Sequence, residues 1–385
     1  MPTSDYIEQL DEFLSRPNQS WLLGAGISYD AGIPLMHPLT ARILELTKIS
    51  SSKNLLDKLI SDLPNGSHIE HILSHLGDYT TLAKRNLLGV VTINTSNFMI
   101  KELEDLHEEI LTHIGEIIRW GFRSGTPDEI GSTTNPIVTV NDHSAFTKAL
   151  MDVRQSGLTG RRRPIKFFTL NYDTLIEDSL ALGCYSYWDG FSGGAVAFRN
   201  YRYGDAELED GCRAKVIKLH GSIDWHMGSD GKVWRIRDRD LYPNRTGRVL
   251  IYPQSTKYIA TQKDPFSAQF DIFRRSFQLN DDNVLAICGY SFGDDHINQE
   301  IELALEMPGN KTTILAFCRE GVAMPAILQT WRKSFWGGRV YVISEKGLYI
   351  GKEGPFHPPV AGTEHSWWTF SGVTDLLKNG VGDYL

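Results

Sequence analysis

The sequence predicts an α/β fold: a mostly parallel sheet that takes its first strand early, is interrupted by a helical insertion, and is completed after residue 160. Trp21-Leu22-Leu23 is a brief apolar run that breaks into Gly24-Ala25-Gly26, the pattern of a strand buried on both faces that delivers a glycine turn. Beyond Arg163, six short apolar runs read as strands, with helical segments between several of them: Ile165 to Leu170, Val216 to Leu219, Val249 to Tyr252, Val284 to Cys288, Thr313 to Phe317 and Val340 to Ile343. From Pro38 to Val153 the period is mostly helical instead. Residues 1–37 and 160–385 are therefore expected to form the sheet domain, and 38–159 the insertion.

Taken in order, Ser4 can cap a helix whose Ile7, Leu10, Phe13 and Leu14 share one face, and Pro17 stops it. Within the insertion the helical stretches are Leu39 to Leu46, Ile69 to Leu76 and Met99 to Trp120. Ile223 to Ile236 carries Gly228-Ser229-Asp230-Gly231 between apolar flanks and predicts a β-hairpin on one edge of the sheet. No internal repeat or low-complexity tract interrupts the pattern.

The 385 residues are 41% hydrophobic and 22% charged, enough to bury a large core without staples. A formal charge of −8 argues against an overall basic nucleic-acid binder. The clusters Arg161 to Arg163 and Arg274-Arg275 lack interleaved aromatic residues, so direct nucleic-acid binding is not expected. Trp367, Trp368 and Phe370 read as core or subunit interface. Cys184, Cys212, Cys288 and Cys318 form no CxxC pair, so neither a disulfide framework nor a metal site is expected, and they suit a reducing cytoplasm. Met1 to Leu14 is not a charged-then-apolar leader, and no run of about 18 apolar residues follows, so no membrane role is expected.

Four segments at strand ends carry chemistry. Gly24-Ala25-Gly26-Ile27-Ser28, followed by Gly32-Ile33-Pro34, offers bare backbone amides to a pyrophosphate. It lacks the third glycine of the dehydrogenase fingerprint, and no acidic strand end follows at about 20 residues, which disfavours an ordinary dehydrogenase. Thr169-Leu170-Asn171-Tyr172-Asp173 ends a strand where open α/β sheets place ligands, although Asp173 or Thr174 would also cap the helix through Leu175, Ile176 and Leu180. Lys218-Leu219-His220-Gly221-Ser222 sets an imidazole beside a glycine that lets a ligand come near. Gly289-Tyr290-Ser291, with Asp294 and Asp295, is a small-residue turn before a helix starting near Asp295, suited to ribose hydroxyls or phosphate.

In this order the four segments resemble the sirtuin pattern of a GAG-x-S…GIP loop, a T-x-N-x-D segment, an HG segment and a G-(T/Y)-S turn. The resemblance covers the first strand and residues 165 to 320, and is closest to bacterial sirtuin-like domains with a helical insertion after the glycine loop. It implies a Rossmann-like domain that takes NAD as substrate. It places Asn171 and His220 in the nicotinamide-ribose pocket as catalytic residues, the asparagine orienting ribose or water and the histidine acting as base. Gly24, Ala25, Gly26 and Ser28 would contact the diphosphate, Gly289 and Ser291 the adenosine half, and Asp173 would orient Asn171 or the ribose.

The chain departs from deacylating sirtuins on the peptide side. Leu35-Met36-His37 stands where they have Asp-Phe-Arg, Pro253-Gln254-Ser255 where they usually have a Phe-Gly-Glu turn, and the four-cysteine zinc module is missing. These losses point to water as acceptor, hence to an NAD glycohydrolase releasing nicotinamide and ADP-ribose. Relatives of this kind act in bacterial anti-phage defence as oligomers that deplete NAD when activated. Stand-alone chains of this length resemble those encoded beside a HerA-type hexameric ATPase, which makes a homo-oligomer and such a partner the expectation. The competing readings are a divergent NAD-dependent deacylase or ADP-ribosyltransferase, and a non-catalytic NAD or ADP-ribose sensor that scaffolds an oligomer.

Overall fold

The computed structural model describes residues 4–157, 163–199, 211–229, 231–237, 245–250, 265–277 and 282–382. Helix α1 (Ser4–Leu14) leads into strand β1 (Gln19–Leu23), which ends in a 3-10 turn at Ala25–Ser28. A helical stretch follows: α2 (Met36–Thr47), α3 (Lys53–Ser61), α4 (Ile69–Arg85), the hairpin β2 (Val90–Ile93) and β3 (Ser96–Met99), α5 (Ile100–Trp120), and the short pair β4 (Phe122–Arg123) and β5 (Glu129–Ile130). Helix α6 (Asn141–Lys148), continued by a π-helical turn at Ala149–Arg154, precedes β6 (Ile165–Thr169) and α7 (Leu175–Leu182). Next come β7 (Tyr187–Trp188), β8 (Phe191–Gly193), β9 (Val196–Arg199), β10 (Ala214–Lys218), β11 (Gly221–Gly228), β12 (Val233–Ile236) and β13 (Arg245–Leu250). The chain closes with α8 (Phe266–Phe277), β14 (Val284–Cys288), α9 (Asp295–Glu306), β15 (Thr313–Phe317), α10 (Ala326–Lys333), β16 (Val340–Ser344), β17 (Gly347–Ile350), β18 (Glu353–Phe356) and α11 (Phe370–Asn379).

Among the described residues, nine strands form one sheet in the order β18-β17-β16-β15-β14-β1-β6-β10-β7. The pairs from β16 through β7 are parallel, and β17 and β18 add an antiparallel edge. From β1 the chain builds outward through β6 and β10 on one side, then returns to build β14, β15 and β16 on the other. The order therefore reverses between β1 and β14, and open parallel sheets leave a ligand crevice at the carboxyl ends of the strands flanking such a reversal.

The pleat divides the apolar strand residues between two cores. Trp21, Leu23, Phe167, Val216, Ala286 and Phe317 face one side, where α1, α6 and α11 pack, and Ile7, Leu10 and Leu14 join them on the predicted face of α1. Leu22, Phe168, Ile217, Leu285, Ile287 and Ala316 face the other, against α8, α9 and α10. A third cluster fills the helical stretch and takes in Ile33, Leu175 and Ile223, so the helical layer packs directly on the loops at the sheet's carboxyl end. The aromatic tail is core: Trp367 is fully buried and donates from Nε1 to the Ser344 carbonyl at 2.6 Å.

Two expectations are corrected. The hairpin within Ile223 to Ile236 forms, with β11 paired antiparallel to β12, but it belongs to a separate five-stranded sheet in the order β13-β11-β12-β9-β8. The run beginning at Val249 lies at the end of β13, which pairs antiparallel with β11 in that same sheet and adds nothing to the parallel one. Pairing partners are set by which edge is open after β10 turns at Gly221, and apolar runs read singly carry no record of that. Arg161, Arg162 and Pro253-Gln254-Ser255 lie outside the described residues. Among the described residues no helix is long and apolar enough to cross a membrane.

Leu22 sits mid-strand in β1 with no solvent exposure. Leu22→Ala is expected to lower the free energy of unfolding by about 2–5 kcal/mol, read from urea midpoints.

Candidate functional site

The site begins with a backbone contact. The Gly24 amide donates to the Cys288 carbonyl at 3.0 Å, and the Gly26 amide to the Gly289 carbonyl at 2.9 Å. A Cβ on Gly24 would stand 2.5 Å from the Gly289 oxygen, and one on Gly289, at φ +67°, 2.5 Å from the Ile27 nitrogen. The loops after β1 and β14 thus touch main chain to main chain, which only glycine permits. Gly24 is buried by that contact, while Ala25 and Gly26 face outward from the turn.

Behind this turn Ser28 is 1% exposed, and its hydroxyl donates to Asp173 Oδ2 at 2.9 Å. The other Asp173 oxygen accepts the Leu175 amide at 3.1 Å, so Asp173 serves both the site and the start of α7. Asn171 donates from Nδ2 to the Gly24 carbonyl and to Ser28 Oγ, each at 3.1 Å. Because the Gly24 carbonyl can only accept, the amide orientation is fixed and Oδ1 is turned away. That Oδ1 is buried with no hydrogen-bond partner among the described residues. Buried amide oxygens are normally paired, so this one is open to a donor from outside the described residues.

His220 follows β10 and is 7% exposed. Its Nε2 lies 3.2 Å from Asp294 Oδ2. Asp294 caps α9, taking the His296 amide on Oδ1 at 3.2 Å, and its backbone amide donates to the Tyr290 hydroxyl at 3.1 Å. A carboxylate this firmly held fixes the imidazole's orientation. Gly24, Ser28, Asn171 and Asp173 are joined by hydrogen bonds, and Gly26 and Gly289 by the loop contact. Ser291 stands apart from that network, exposed, with Oγ accepting the Gly293 amide at 3.4 Å.

Three residues that support the candidate site, Asp294, Lys218 and Glu177, escaped the sequence reading. Asp294 was noted only as part of a turn, and nothing in the sequence announces its pairing with His220. Lys218 had a signal, a lysine in the apolar run Val216-Ile217-Lys218-Leu219. It is 2% exposed, donates from Nζ to the Asp173 carbonyl, and lies 3.4 Å from Glu177 Oε1. Burial pushes the Glu177 carboxyl up to about 7, with Lys218 opposing the shift. Burial acts likewise on Cys288 in β14 and Cys318 just after β15, pushing both thiols up to about 12. Arg274 pairs with Glu300 and Arg275 with Asp271 at 2.7 Å, so neither arginine presents an open basic face. Among the described residues no three His, Cys, Asp or Glu side chains group as metal ligands.

Residues 165–335 match the SIR2-like domain family. The matched stretch holds Asn171, Asp173, His220, Gly289 and Asp294, and spans a little under half of the chain. The Gly24 to Ser28 turn lies outside it and joins the SIR2-like residues because β1 is inserted between β6 and β14. Among solved structures, a crystal structure of a Sir2 homolog–NAD complex is similar at 12% identity with a TM-score of 0.40, covering 98% of this chain and 94% of that one. No curated protein matches the chain.

Gly289→Ala is expected to strain the loop by about 1–3 kcal/mol from the positive φ alone and to push the β1 and β14 loops apart. A lowered melting midpoint together with faster amide exchange at residues 24–28 is the readout. A second expectation concerns Glu177, whose folded pKa lies above its ordinary 4.5. Between about 4.5 and about 7 the folded protein holds a proton that the unfolded chain has lost, so stability falls as pH rises through this window. Glu177→Gln removes that loss, and its stability measured by urea titration should gain on wild type across the same interval.

Proposed function

We propose that the chain binds NAD in the crevice between β1 and β14 and hydrolyses its nicotinamide–ribose bond. The observation that supports this reading is the buried Asn171 Oδ1, without a hydrogen-bond partner among the described residues and held by the Ser28–Asp173 pair behind the glycine turn. The diphosphate would lie against the glycine turn, on the exposed backbone of Ala25 and Gly26 with Gly24 and Ser28 behind them, and the adenosine half against the Gly289 to Ser291 turn. Nicotinamide leaves as a neutral base when the C1′–N bond breaks and its electron pair returns to nitrogen, so no acid is needed. Positive charge develops on the ribose carbon, where a fixed dipole such as Asn171 Oδ1 would stabilise it. Water then bonds to C1′ and gives its proton to His220, whose ring Asp294 orients. The products are nicotinamide, ADP-ribose and a proton.

The sequence departures on the peptide side support water, rather than an acyl-lysine, as acceptor. The motif resemblance to bacterial sirtuin-like defence proteins supports a cytoplasmic homo-oligomer that depletes NAD in anti-phage defence, under control of a HerA-type ATPase. Residues 38–159 pack with Ile33, Leu175 and Ile223 beside the site loops, which supports a dependence of activity on assembly.

The test is nicotinamide and ADP-ribose release by purified protein, with and without a HerA-type ATPase. Asn171→Ala and His220→Ala should each lower release by at least about a hundredfold, within the range carried by positioned polar groups and bases. NAD binding without release in any condition would replace hydrolysis by the sensor-scaffold reading, and turnover only with acylated peptides would replace it by deacylation.

A further inference from the structure

The loop that carries Asn171 and Asp173 has no regular secondary structure, yet it holds a hydrogen-bond pattern that needs fixed geometry. Its front is tied to the glycine turn through Ser28. Its back is tied at two main-chain points. The Tyr172 carbonyl accepts the Ile223 amide at 2.9 Å, and the Asp173 carbonyl accepts the Lys218 ammonium.

Lys218 is held in turn. Its Nζ lies 3.4 Å from Glu177 Oε1, both side chains being under 5% exposed. The charge of Asp224 in β11 also raises the Glu177 carboxyl, and Arg237, just past β12, lies 3.5 Å from Asp224 and 3.3 Å from Asp178. Arg237 also donates to the Tyr187 hydroxyl at 3.4 Å. A line of buried and half-buried charge thus runs from the second sheet, through the first turn of α7, to the carbonyl of Asp173. Buried ion pairs are poor stabilisers when compared with apolar residues of the same volume. What this one supplies is a fixed donor behind the site loop.

We infer that Lys218, clamped by Glu177, is a positioning residue: it fixes the Asp173 main chain and so the aim of the Asn171 carboxamide. The inference deepens the proposed NAD hydrolysis and rests on that reading for its kinetic consequence, while its structural consequence stands without it. Lys218 touches no reacting atom, so its removal should slow turnover while leaving the diphosphate turn, and hence NAD affinity, in place.

The test uses the full-length chain at pH 8, where Glu177 is ionised, and compares wild type, Lys218→Met and the double variant Lys218→Met with Glu177→Gln. The double variant strands no buried charge and is expected to fold, whereas the single one leaves the buried Glu177 without its cation. Calorimetry with NAD counts binding-competent molecules, and nicotinamide release per competent molecule gives kcat. The expected result for the double variant is a kcat lower by about ten- to a hundredfold with Kd for NAD within about threefold. Hydrogen exchange of residues 169–175 should be faster by at least about tenfold, with residues 284–288 unchanged. A merely structural role would lower the competent fraction and leave kcat per competent molecule and the 169–175 exchange as in wild type, which overturns the inference. If wild type binds NAD without releasing nicotinamide, the proposed function fails. The exchange result then decides the positioning role by itself.

Discussion

Gly24 and Gly26 on one strand end and Gly289 on its neighbour bring the loops after β1 and β14 into direct main-chain contact, and the geometry in front of the sheet follows from it. With the loops this close, the Gly24 carbonyl is presented to Asn171 and the turn tightens so that Ser28 points back at Asp173. Neither bond would survive a side chain between the loops, because the added atom would sit 2.5 Å from a backbone oxygen or nitrogen. The glycines are thus required by packing before any ligand is considered. The tight turn that this packing leaves exposed at Ala25 and Gly26 is what the proposed NAD site would use.

Much of this was legible in the sequence. Runs such as Val284 to Cys288 are apolar at every position because parallel strands are covered on both faces, and the structure divides each run residue by residue between two cores. Asn171, Asp173 and His220 stand out as candidates because they follow directly after such runs, where the chain must turn at the carboxyl edge. Pairing across long sequence separation was not legible. The hairpin at residues 223–236 looks the same whether it extends the main sheet or founds another, and the separation depends on the turn at Gly221 and on β9 and β13 arriving beside it. Asp294 escaped notice for the same reason. An aspartate at a helix start is ordinary capping chemistry, and only the fold brings it within 3.2 Å of His220.

The charges behind the site pose the sharper physical question, since a chain this rich in apolar residues had cheaper ways to fill the space beside α7. Lys218, Glu177 and Asp224 are all nearly excluded from water, and the raised Glu177 carboxyl records what that exclusion costs. An apolar cluster there would pack as well and leave the Asp173 carbonyl without its donor. It would also let the loop settle by many nearly equal contacts, because dispersion is not directional. An ammonium caught between a carboxylate and a carbonyl has one arrangement that satisfies it. A site whose proposed chemistry depends on where a single amide oxygen points gains more from that uniqueness than from the stability forgone.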